Sequence, residues 1–209
     1  MVQLSSFLSA FIGITAAGVS FYFLSKYEFE TNWTYEQKYS SSVLDLNGDS
    51  NIWKLKIEEA RASTPDDSEL RSAAKVGTQE TLAALKKVCG KIYKTDARHR
   101  QYLNDFKRYC TKHNEDVVYG RNLTVIREGA PEERNNLIDS KIEAIKKQRR
   151  SLDEDLTFIK YSQDNTEDDN RSILKSWCTR AASSPYEGSS STKFLNFLDY
   201  CVKERVITI

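Results

Sequence analysis

The chemistry this sequence offers lies in four cysteines, Cys89, Cys110, Cys178 and Cys201. They fall into two pairs with like surroundings. The first pair reads Leu85-Lys86-Lys87-Val88-Cys89, then Phe106-Lys107-Arg108-Tyr109-Cys110; the second reads Leu174-Lys175-Ser176-Trp177-Cys178, then Phe197-Leu198-Asp199-Tyr200-Cys201. L-K-x-x-C is thus followed twice by F-x-x-Y-C. A lysine stands two residues after each second cysteine (Lys112, Lys203), and Arg121-Asn122-Leu123-Thr124-Val125 is echoed by Arg205-Val206-Ile207-Thr208-Ile209. Several agreements in one order argue for an internal duplication.

Such cysteines have three uses. Reduced, they act as small core hydrophobes. Oxidised, they close a disulfide inside each repeat, Cys89 with Cys110 and Cys178 with Cys201, which requires an oxidising compartment. A loop of that size contributes roughly 3 kcal/mol by the chain-entropy model. Both readings fit, and spacing alone does not choose among the pairings four cysteines allow. As zinc ligands they lack the close C-x-x-C spacing, and both histidines, His99 and His113, sit in the first copy, so no metal is expected.

Other reactive constellations are missing from the sequence. There is no phosphate-binding glycine loop, no G-x-S-x-G elbow and no H-E-x-x-H. Asp45-Leu46-Asn47-Gly48-Asp49 looks like the start of a calcium loop, but its sixth position is Ser50 where glycine belongs and its twelfth is Lys56 where glutamate belongs. No catalytic residue, cofactor or metal ligand is assigned, and the expectation is a protein that is not an enzyme. The basic run Lys146, Lys147, Arg149 and Arg150 is followed by the acidic run Glu167-Asp168-Asp169, and the chain nets only +1, so no nucleic-acid partner is expected. Asn32, Asn122 and Asn170 open N-x-S/T triplets, which matter only in a secretory eukaryotic setting.

The elements that must position the cysteines read as amphipathic helices. Leu82, Leu85, Cys89 and Ile92 step by three and four, as do Leu103, Phe106, Cys110 and His113. In the second copy the stripes are Leu174, Trp177, Cys178 and Ala181, then Phe194, Leu198, Cys201 and Val202. Ser50 is expected to cap a helix through Trp53, Ile57 and Ala60, and Thr64-Pro65-Asp66-Asp67 to start another. Gly129-Ala130-Pro131-Glu132-Glu133 opens a helix carrying Ile138, Ile142, Ile145, Leu152, Leu156 and Ile159, a stripe broken only by Arg149. It is expected to pack within its own repeat, with self-association as the other use. Ser183 through Ser191 reads as a flexible connector, and Ser191 or Thr192 as the cap of the last helix.

From Phe7 to Leu24 the chain runs eighteen residues without a charge. That length suits a membrane-spanning helix. A cleaved signal peptide would begin with a basic stretch, yet no Lys or Arg precedes Lys26. Lys26 alone favours a cytoplasmic polar domain, whereas disulfides favour the exterior. Mean hydropathy is −0.60, 29% of the residues are charged, and only 8 Gly and 3 Pro occur. So polar and breaker-poor a chain reads as helix with polar connectors. The expected fold is all-α: an N-terminal transmembrane helix over residues 4–25, a linker over 26–50, and two related helical-bundle repeats at 51–128 and 132–209.

This layout resembles the large paralogous sets of uncharacterised proteins in hemotropic mycoplasmas. The residues that carry the likeness are Leu174-Lys175-Ser176-Trp177-Cys178 with Tyr200-Cys201, and more loosely Leu85 to Cys89 with Tyr109-Cys110; Val88 stands where the tryptophan often lies. The resemblance implies a membrane-associated protein displayed to the host or contacting the red-cell surface, and supplies no catalytic residues. The expectation is therefore a single-pass protein of the cell membrane with its polar domain outside, acting by binding or antigenic display on an unidentified protein partner, a host-cell surface among the candidates. The alternative is a cytoplasm-facing helical scaffold tethered to the membrane, its Ile138–Ile159 stripe joining a partner helix.

Overall fold

The helices around the cysteines bury most of the residues that their spacing marks, and the architecture grows from those stripes. The computed structural model describes residues 33–75, 78–118, 123–127, 135–162 and 164–204. In chain order they form α1 (Tyr35–Lys38), α2 (Ser50–Ala62), α3 (Ser68–Lys75) and α4 (Thr78–Tyr93). A 3₁₀ turn (Arg100–Tyr102) then runs into α5 (Leu103–Tyr109) and α6 (Asn114–Val118). There follow β1 (Leu123–Val125), α7 (Asn135–Lys147), α8 (Glu154–Tyr161), α9 (Glu167–Ala182), α10 (Thr192–Cys201) and β2 (Val202–Glu204). The fold is mostly helical, with one antiparallel pair in which Val125 faces Val202.

Helix lengths recur along the chain. Helices α2 and α7 both have 13 residues, α3 and α8 both have 8, and α4 and α9 both have 16. The 3₁₀ turn of 3 residues plus the 7 of α5 match the 10 of α10. Backbone pairing repeats as well. Antiparallel bridges join Thr34 to Asp96 and His113 to Pro185. Beside them Tyr35 donates to the Thr95 carbonyl at 3.0 Å, and Asn114 to that of Ser184 at 3.0 Å. Past the second cysteine of each unit, Thr111 pairs with Val43 and Val202 with Val125. The described residues lie in one compact body whose two halves, here called units, are 33–111 and 112–204, each with its own buried cluster, and the segment Thr111–His113 runs from the first into the second.

Two cores follow. One gathers Tyr35, Leu44, Trp53, Leu85 and Phe106; the other gathers Val118, Ile126, Ile138, Leu174 and Phe197. These assignments move the expected boundaries. The described part of the 26–50 linker is no linker, since Thr34 caps α1 in a reciprocal box with Gln37 and Tyr35 and Leu44 are buried in the first core. The second unit starts near Lys112, not at 132, because Val118 and Ile126 bury into its core. The expected membrane span over 4–25 lies outside the described residues, among which no helix is long and apolar enough to cross a membrane.

Other expectations change in detail. The Ile138–Ile159 stripe is two helices, α7 and α8, and Ile138, Ile142, Ile145, Leu156 and Ile159 all lie in the second core, so that stripe is not free to join a partner helix. The stripe that runs from Leu103 to His113 stops at Tyr109, and His113 sits beyond it in extended backbone. Asp49, at φ 51°, precedes α2 in the position expected for Ser50. The Asp45–Asp49 segment is a tight turn: the Asp45 carboxylate accepts from Asn47, and Trp53 donates to the Asp45 carbonyl at 2.8 Å. A Cβ at Gly48 would meet that carboxylate at 2.7 Å, so a side chain there would push the Asp45 carboxylate aside. The 183–191 connector is held in place, for Tyr186 donates to the Lys112 carbonyl and its ring meets Phe194 edge-on at 4.8 Å. Asn170 is 4% exposed, which closes its glycosylation triplet.

Candidate functional site

The cysteines come together in pairs within each unit. The Sγ atoms of Cys89 and Cys110 are 2.00 Å apart, and those of Cys178 and Cys201 are 2.07 Å apart, with Cα separations of 5.4 Å in both. These are disulfide distances. Each pair joins the cysteine one turn before the end of the sixteen-residue helix, α4 or α9, to the residue that closes the next helix: Cys110 caps α5 and Cys201 is the last residue of α10.

The residues flanking the second cysteine explain F-x-x-Y-C. Phe106 and Phe197 fill the two cores. The Tyr109 hydroxyl meets Ser63 Oγ at 2.7 Å, just past α2, and the Tyr200 hydroxyl accepts from Gln148 Nε2 at 2.8 Å, just past α7. Each tyrosine thus ties the cysteine helix to the end of the unit's first long helix. One residue before each phenylalanine is a second clamp. Asp105 accepts from the Asp66 and Asp67 backbone at 3.1 and 2.5 Å, and Asn196 accepts from Asp153 at 2.8 Å. Both hold the turn ahead of the eight-residue helix, where unpaired N–H groups would otherwise be buried.

Between the units lies a buried ionic cluster. Lys56, on α2, has 2% of its side chain exposed, and its ammonium donates to Asp116 Oδ2 at 2.9 Å and to His113 Nδ1 at 3.0 Å. Asp116 Oδ2 also accepts the His113 backbone N–H at 2.7 Å, and its side chain is 5% exposed. With Nδ1 accepting from lysine, the imidazole carries its proton on Nε2 and donates to the Lys107 carbonyl at 2.8 Å. Burial, reinforced by the Lys56 charge, lowers the His113 pKa below its usual 6.5, so the ring is neutral at neutral pH. A neutral histidine accepts from lysine; a protonated one would oppose it. Asn114 adds a bond from its amide to the Ala181 carbonyl at 2.8 Å. The cluster welds the two units through side chains from both.

Two clefts flank this weld and share Lys107, Ser184 and Pro185. The one of about 400 Å³ is walled by Tyr39 and Ser40–Ser42 from the first unit and by Tyr186 and Glu187 from the second, with Lys38 and Lys193 at its rim. Both ring walls are braced from behind: Tyr39 lies 5.2 Å from the Phe106 ring, Tyr186 4.8 Å from Phe194. Burial raises the Tyr39 pKa, so its hydroxyl stays a hydrogen-bond donor. The second cleft, of about 570 Å³, runs past His113 to Arg108 and Arg180, whose charges are met by Glu59 and Asp155.

The spacing of the cysteines pointed to four residues, and the structure joins them two by two. It gave no sign of Lys56 or Asp116, whose partners lie in different units. Nor did it mark the cleft, which is built by loops. The one signal available was the Asp or Asn before each F-x-x-Y-C. Among the described residues no group of histidine, cysteine and carboxylate side chains could hold a metal ion. No family model matches the chain, and neither a curated protein nor a solved structure does.

Proposed function

We propose that the protein is a non-enzymatic binding module, tethered to the cell membrane by residues 4–25 and displayed on the cell exterior. The observation that carries this reading is the pair of disulfide distances at equivalent positions of two duplicated units. Reduced cysteines have no reason to meet pairwise twice, whereas a chain working in an oxidising compartment gains stability from both links. The apolar run from Phe7 to Leu24 supplies the tether. The likeness to the paralogous sets of hemotropic mycoplasmas points the displayed units toward a host cell. The alternative scaffold facing the cytoplasm loses its proposed contact, since the Ile138–Ile159 stripe is covered within its own unit.

The test is protease treatment of intact cells followed by detection of the peptide around Cys201. Cleavage without lysis, together with thiols that resist alkylation until reduced, is the expected result. Protection until lysis, with a cytosolic control equally protected and all four thiols alkylated, would overturn the reading.

A further inference from the structure

The structure assigns a ligand class to the 400 Å³ cleft between the units: we propose that it binds an acidic saccharide, a sugar chain bearing carboxylate or sulfate groups. The proposal rests on the reading of the protein as a binding module and says what is bound, and where. Concave sites of this volume at the seam between two units are where small ligands are usually held. The seam is rigid here, because the Lys56–Asp116–His113 cluster lies beside it and Lys107 belongs to both its backbone anchoring and its wall.

The lining has three components, and a sugar acid uses all of them. Tyr186 offers a half-buried ring braced by Phe194, against which the apolar face of a pyranose can lie, while the Tyr39 ring, 5.2 Å from Phe106, carries the Lys38 ammonium over it at 5.8 Å. The exposed Ser40 and Ser41 supply short hydroxyls suited to sugar hydroxyls, while Ser42 and Ser184 already donate theirs to the Tyr39 and Arg180 carbonyls. Lys38, Lys107 and Lys193 surround the mouth against one carboxylate, Glu187, which pairs with Lys193 at 3.4 Å. The surplus cations are therefore Lys38 and Lys107, both exposed, with no carboxylate beside either among the described residues. Two surplus charges match an occasional carboxylate or sulfate on a sugar chain. They fall short of the row of lysines and arginines that a phosphodiester backbone calls for.

The full chain, purified oxidised in detergent, would be titrated with a sialylated trisaccharide, a sulfated hexasaccharide cut from heparin, neutral lactose and single-stranded DNA of matching length. At least one acidic saccharide should bind while lactose does not, the two acidic arms separating carboxylate from sulfate. Lys107→Glu and Lys38→Glu should each weaken that binding by about tenfold or more, an attraction being replaced by a repulsion. Both side chains are exposed, so the variants should melt like the parent. Lys147→Glu, which makes the same change of net charge at a side chain 78% exposed on α7, should bind as the parent does. Absence of binding to either acidic saccharide, equal weakening by Lys147→Glu, or tighter binding of the DNA would overturn the proposal. The titration is indifferent to which side of the membrane the units face, so its failure leaves the display reading to the protease experiment, and the reverse holds.

Discussion

Removing Lys56 tests the weld between the units. In Lys56→Met the Asp116 carboxylate, 5% exposed, keeps only the His113 backbone N–H as a donor, and His113 Nδ1 loses its partner. A buried charge stripped of its counter-ion costs about 3–5 kcal/mol. That is a large part of the roughly 5–15 kcal/mol that holds a domain folded. Asp116→Leu should cost somewhat less, because the ammonium, though beside a neutral imidazole, keeps Glu59 Oε2 at 3.9 Å. In the double variant no charge is left unpaired, so it should be no less stable than either single one, a coupling of at least about 2 kcal/mol. Guanidinium unfolding of the oxidised full chain, followed by tryptophan fluorescence, provides the measure, since Trp53 lies one turn before Lys56 and Trp177 in the other core. The single variants should also split a shared transition into two as the units lose their mutual support. Singles costing under about 1 kcal/mol, or effects that simply add, would refute the argument that this cluster joins the units.

Three further outcomes are expected. Replacing Cys178 and Cys201 by alanine should lower stability by about 3 kcal/mol, from a loop with a sequence separation of 23 residues, and reducing the parent, which opens both links, should lower its thermal midpoint further. The His113 pKa is lowered on folding, so the unfolded chain binds the extra proton more readily. Stability from this group is then complete above the unfolded value of 6.5 and is lost as pH falls below it. Unfolding midpoints measured between neutral and mildly acid pH should show this slope, and His113→Gln should flatten it. Asp105→Leu strands the backbone N–H groups of Asp66 and Asp67 and should cost about 2–4 kcal/mol. Asp105→Asn should cost clearly less, since Asn196 does the corresponding work in the second unit; equal losses in denaturant melts would count against the clamp.

The duplication was legible where side chains carry it and hidden where the backbone does. Leu85 and Leu174, Phe106 and Phe197, Tyr109 and Tyr200 match by type because each fills a core or ties one helix to another. Helices α1 and α6 also correspond, yet Thr34-Tyr35-Glu36 and His113-Asn114-Glu115 share little, because their equivalence lies in main-chain bonds to Thr95 and Ser184 that any residue but proline can make. Periodicity misled at α7 and α8. The apolar spacing of Ile138 to Ile159, broken only by Arg149, runs on across Gln148–Asp153, but Asn196 holds Ser151 and Asp153 in a turn there, a constraint arriving from more than forty residues away. Nothing in the spacing around Lys56 marked it as buried for the same kind of reason: its partners lie in the other unit.

The cross-links also decide how the protein would behave as a tether under load. A pull on the two ends of a unit is carried first by the antiparallel contacts Val43 with Thr111 and Val125 with Val202, which lie at its mouth. Once those part, the chain can lengthen only outside the bonded cysteines. The 21 and 23 residues spanned by the disulfides stay out of the extended path, withholding roughly 70–80 Å of chain in each unit. Reduction would release that length, so a stretched molecule would grow by a fixed step per bond broken, and the redox state of its surroundings would set how far the displayed units can reach.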